Sequence, residues 1–156
     1  MKTLDEILEK TFYFSSLGSL RNFISWIDNE ICMNPEDTLL LQVLAVSVKT
    51  LGEELVKPGE YDAHHPVRST LKSADEYAND PTQENWNQFF SDSTDSYPFG
   101  PGDGCYSIVS GCEAGSGCRS GAGSLLFTLE SIPGLTEEKA ISLIHHRIEL
   151  LSKGEL

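Results

Sequence analysis

The chain is short of positive charge. Eleven Lys and Arg stand against 24 Asp and Glu in 156 residues, a formal charge of −13. Such a polyanion is repelled by nucleic acid and by anionic bilayers, so neither is an expected partner. Long apolar runs are missing too. The longest, Leu39 to Val48, is broken by Gln42 and Ser47. It falls well short of the roughly 20 residues that span a bilayer. Met1-Lys2-Thr3-Leu4 passes straight into Asp5 and Glu6, which leaves no apolar core of a signal peptide. A cytoplasmic location is the expectation, and there the four cysteines stay reduced.

Complete catalytic signatures are absent. Cys105, Cys112 and Cys118 are spaced by six and five residues, whereas zinc thiolates come as close pairs that present two sulfurs from one turn. Cys112 and Arg119 resemble the phosphate loop of cysteine phosphatases only in part. That loop needs arginine six residues on, where Cys118 stands, and a preceding histidine, where Gly111 stands. No G-x-S-x-G occurs. Gly121-Ala122-Gly123-Ser124 lacks the lysine of a phosphate-binding loop. Neither His64-His65 nor His145-His146 has the i, i+4 spacing that puts two ligands on one helical face. On the helical wheel His145 borders the Ile141/Ile148 stripe and His146 points away from it. Ile132-Pro133-Gly134-Leu135-Thr136 is similar to the hairpin of helix-hairpin-helix DNA-binding motifs. Thr136 replaces its second glycine, and Glu137 and Glu138 put negative charge where phosphate would lie. The expectation is therefore a protein that is not an enzyme and has no cofactor and no metal.

What is present is helical patterning. Thr3 to Glu6 fits a capping box, followed by Leu4, Ile7, Leu8 and Phe12 as a first apolar face. Leu20, Phe23, Ile24, Ile27 and Ile31 mark a second, opened near Ser19, with Trp26 at its border. Asn34 as cap and Pro35 as first helical residue predict a core helix over 35–56, apolar almost all round. A loop over 57–66 leads to a helix over 67–79. Asp80 as cap and Gln83 at the capping-box position predict the next, with Trp86, Phe89 and Phe90 on one face. A short helix is expected to about Ser131. Thr136 caps the last, faced by Ile141, Ile144, Ile148 and Leu151. Between these lies Tyr97 to Ser124, which holds eight of the thirteen glycines and three of the four cysteines. The fold class expected is all-α: a single compact domain over 1–156, six to seven helices interrupted by one long Gly/Cys-rich loop at 97–124.

Charge is not spread evenly. Residues 1–96 carry seventeen acids and seven bases, a balance of −10. Between Asp75 and Asp95 there is no Lys or Arg. Asp75, Glu76, Asp80, Glu84, Asp92 and Asp95 alternate with Tyr77 and Trp86. Acids beside aromatics supply both electrostatic steering and apolar anchors, so these eight residues form the candidate surface for a basic protein. A solvated acidic face is the plainer alternative. At the level of class the chain resembles bacterial immunity proteins, which are short, acidic and without catalytic residues. That likeness implies an inhibitor that covers the active site of a cognate basic toxin such as a nuclease. The alternatives are a metal- or thiol-dependent enzyme centred on Cys105 to Arg119, and a structural or adaptor domain.

Overall fold

A computed structural model describes residues 3–34, 36–56, 66–94 and 134–155. Among them are six α-helices and no strand, as the apolar spacing predicts. They are α1 (Leu4–Leu17), α2 (Leu20–Met33), α3 (Thr38–Val56), α4 (Pro66–Asn79), α5 (Gln83–Thr94) and α6 (Glu137–Ser152). Residues 57–65, the glycine-rich stretch 97–124 and the short helix expected up to Ser131 lie outside the described residues.

Local chemistry sets the boundaries. The Thr3 hydroxyl accepts the Glu6 amide at 3.2 Å and opens α1. Gly18 closes it at φ 62°, its amide bonding Ser15 O while the Ser19 amide bonds Phe14 O. That pair of bonds is the Schellman ending, which satisfies two carbonyls the helix leaves open. Ser19 caps α2 through the Asn22 amide at 3.2 Å. The neighbouring Arg21 amide donates to Glu137 Oε1 at 2.9 Å, so α6 adds to the cap of α2. Thr136 caps α6 through the Lys139 amide.

Two caps differ from expectation. Asn34 ends α2 instead of starting α3: its amide and its side-chain Nδ2 both donate to Glu30 O. The start of α3 is set by Asp37, whose carboxylate accepts the Leu39 amide at 3.1 Å, three residues later than the Asn34-Pro35 pair suggests. Similarly, Thr82 and not Asp80 caps α5, accepting the Asn85 amide at 3.1 Å. The Asp80 carbonyl instead braces the turn, taking bonds from the Thr82 amide and from Asn85 Nδ2, both at 2.8 Å.

α3 is the hub. It packs on α2, α4 and α6, while α5 lies on α4 and α1 lies on α6 and α2. Leu40, Val43, Ala45, Val46, Val48 and Leu51 are fully buried, as a helix apolar on every side requires. Each large side chain among them contributes about 1.5–3 kcal/mol. All five apolar positions of α2 are buried, and so are Ile141, Ile144 and Ile148 of α6. Trp26 sits at the border of the core beside Phe14 and Phe23, with ring centroids 6.0 and 6.2 Å away.

The face of α1 is a correction. Phe12 is 64% exposed, and the buried stripe is Ile7, Thr11 and Phe14. Thr11 is polar, yet it is the residue turned to α6, because His145 Nδ1 lies 2.8 Å from its hydroxyl. The same hydroxyl lies 3.1 Å from Leu8 O within its own helix. His145 Nε2 lies 3.2 Å from Glu149 Oε1, a pair that forms only when that nitrogen is protonated. His145 is half-buried and His146 exposed, as the wheel predicts.

A candidate protein-docking corner

The α4–α5 hairpin carries most of the expected surface. Ala74, Tyr77 and Ala78 fall on one side of α4 and are buried, which leaves Lys72, Glu76 and Asn79 exposed on the other. Tyr77, Trp86 and Phe89 join the two helices. Tyr77 meets Trp86 edge-on at 5.3 Å and stacks on Phe89 at 6.5 Å, and Trp86 meets Phe89 edge-on at 5.9 Å. Such pairs add about 0.5–1.5 kcal/mol each beyond their buried area. Gln42 Nε2 donates to Ala78 O at 2.8 Å and fixes the end of α4 to α3. With the braced turn at Asp80, this ties the corner to α3.

Burial also acts on the Tyr77 phenol. Desolvation pushes its phenol from 10.0 up to about 12, because the anion would lose water that the protein does not replace. The side chain is only 2% exposed. Tyr77 thus supports the corner from within and presents no contact surface. Trp86 is partly buried against the core.

The acids divide into two kinds. Asp75 is engaged: Lys49 Nζ reaches its carboxylate, Lys49 also lies 4.0 Å from Glu53, and Glu53 takes both terminal nitrogens of Arg147. The resulting chain of alternating charge, Asp75–Lys49–Glu53–Arg147, runs across α4, α3 and α6. Sequence reasoning missed it, although Lys49 and Glu53, four residues apart in a mostly apolar helix, were the signal. Glu76, Asp80 and Glu84 are exposed, and their carboxylates make no hydrogen bond or ion pair among the described residues. They sit in the last turn of α4, at the turn and in the first turn of α5. Asp92 accepts Gln88 Nε2 at 2.9 Å. It lies eight residues beyond Glu84, about 12 Å along the helix, and does not share the corner. Asp95 lies outside the described residues. Of the eight expected contact residues, the fold therefore gathers three exposed carboxylates and places two aromatics behind them.

No protein-family model, curated protein or solved structure matches the chain. Its function is therefore read from geometry and charge. No described helix is long and apolar enough to cross a membrane. No group of three His, Cys, Asp or Glu able to hold a metal ion occurs among the described residues. Cys105, Cys112, Cys118, Arg119, His64 and His65 lie outside them.

The placement of Glu76 is informative. A carboxylate in the last turn of a helix faces the negative end of the helix dipole, which costs about 0.3–1 kcal/mol. Glu84, in the first turn of α5, gains from the same effect. Stability alone does not favour this arrangement.

Proposed function

We propose that the chain is a small acidic protein-binding domain, acting as an immunity-type inhibitor in the cytoplasm. It neutralises a cognate basic toxin by covering the toxin's active site, and the α4–α5 corner leads the encounter. One observation carries this reading: Glu76, Asp80 and Glu84 stand unpaired among the described residues on a corner tied to α3, in a chain of charge −13. Unpaired carboxylates on a braced support are prepared for a cationic surface and lose little conformational freedom on meeting it. A nuclease toxin has such a surface, because its cleft is basic to receive phosphates. The protein acts by binding and not by catalysis.

The test is coexpression with the product of the adjacent reading frame. The expected result is rescue of growth and a one-to-one complex. Its association rate should fall steeply with added salt. E76Q/D80N/E84Q should slow association by about tenfold at low salt. A complex equally fast with the neutralised corner, or indifferent to salt, would refute the role of these acids. A partner without a basic surface would refute the inhibitor reading.

A further inference from the structure

The core uses only one side of α1. On the other, Phe12, Tyr13 and Leu17 are 64%, 53% and 53% exposed, three large apolar side chains within the last two turns of one helix. Asp5, Glu6 and Glu9 are exposed in its first two turns, with a single exposed base, Lys10, beside them. Glu9, Tyr13 and Leu17 follow i, i+4, i+8 and form a line along the helix. The face is held firmly. Thr11 and His145 lock α1 to α6, the Phe12 ring rests edge-on against His145 at 5.8 Å, and Gly18 ends the helix without fraying.

We infer that the outer face of α1 is a docking site for a basic amphipathic helix of another protein. Charge decides among occupants. A second copy would bring −13 against −13 and set acids against acids. An anionic bilayer or a nucleic acid is repelled by Asp5 and Glu9 in the same way. A helix with apolar residues over Tyr13 and Leu17 and Lys or Arg over Asp5 and Glu9 satisfies both halves. The two halves are centred eight residues apart, about 12 Å at 1.5 Å per residue. The partner helix therefore carries its apolar cluster and its cationic cluster about eight residues apart, on one face. This is the helix-on-face mode, with i, i+3 and i+4 anchors. It does not rest on the role given to the α4–α5 corner.

The experiment uses the full chain and two synthetic helical peptides. One carries leucines over two successive turns and lysines two turns further on. The other has glutamate at each lysine. Amide chemical shifts report the site. Expected are shifts centred on Glu9, Tyr13 and Leu17, affinity for the lysine peptide at least tenfold above the glutamate peptide, and a further tenfold loss in Y13S/L17S. Because both residues are exposed, helix content should be unchanged in that variant, and circular dichroism checks this. E76Q/D80N/E84Q should bind the lysine peptide as the parent does, which separates this site from the corner. The inference is overturned by absence of binding, by equal binding of the two peptides, by shifts that map to α4–α5, or by a dimer that Y13S/L17S abolishes.

Discussion

Tyr77→Phe should flatten the loss of stability at alkaline pH. Burial raises the Tyr77 phenol from 10.0 to about 12. Below about pH 10 both folded and unfolded chains hold the proton, and the group contributes no pH dependence. Between about pH 10 and about pH 12 the unfolded chain releases it while the folded chain keeps it. Stability then falls as pH rises, with a slope of about 1.4 kcal/mol per pH unit from this one group. Over the two-unit window the ceiling is about 2.7 kcal/mol, a large part of the 5–15 kcal/mol of an ordinary domain. Urea midpoints by circular dichroism, for parent and variant across this window, isolate the term. The lysines, cysteines and four other tyrosines titrate in both chains. At neutral pH the variant keeps the ring that stacks on Phe89, so it should lie within about 1 kcal/mol of the parent. Near-UV absorbance should also show one late tyrosinate missing. If parent and variant lose stability in parallel, desolvation of Tyr77 is not the cause and the corner is wetter inside than its packing indicates.

Phe89→Ala removes a fully buried ring from the α4–α5 junction and should cost about 3–5 kcal/mol in chemical denaturation. Gly18→Ala should cost about 1 kcal/mol, from the left-handed φ of 62° and not from space, since the nearest atom to an added Cβ is 3.4 Å away. Lys49→Met breaks the charge chain where its acids are 43% and 38% exposed, so solvent screening holds the loss below about 1 kcal/mol, shrinking further in high salt. E76Q/D80N/E84Q should leave the melting temperature unchanged or slightly raised, because neutralising Glu76 relieves its clash with the end of α4. A clear loss of stability in that variant would show these acids to be structural.

The sequence was most informative where apolar residues repeat without competition. In α2 five positions at helical spacing are all buried, and the nearly uniform apolar character of α3 marks it as the hub. Caps were harder to assign because two good candidates stood close together. Asn34-Pro35 is an excellent start for a helix, yet the Asn34 amide and Nδ2 both go to Glu30 O, and it is the Asp37 carboxylate that reaches the Leu39 amide. Asp80 and Thr82 compete in the same way. The α1 face misled for a different reason. A hydrophobicity rule puts Phe12 inside and Thr11 outside, but the partner that makes Thr11 acceptable in the core is His145, 134 residues away. The candidate corner was legible as a run of acids. Which acids are engaged was not, because Lys49 meets Asp75 only once α3 and α4 are packed.

The pairing of α1 with α6 has a consequence for how the chain is made. Ile7, Thr11 and Phe14 are synthesised before the helix that covers them, residues 137–152. The second hydrogen bond of the α2 cap likewise waits for Glu137. Until that helix exists, the first one can rest its stripe only on α2, through Phe14 against Phe23 and Trp26, and closing so long a loop is slow relative to forming local contacts. The packing order thus lets α2 to α5 assemble around α3 while α1 is held by α2 alone. A chain stopped at residue 136 should be cut first within α1, and supplying the 137–155 segment as a peptide should protect it.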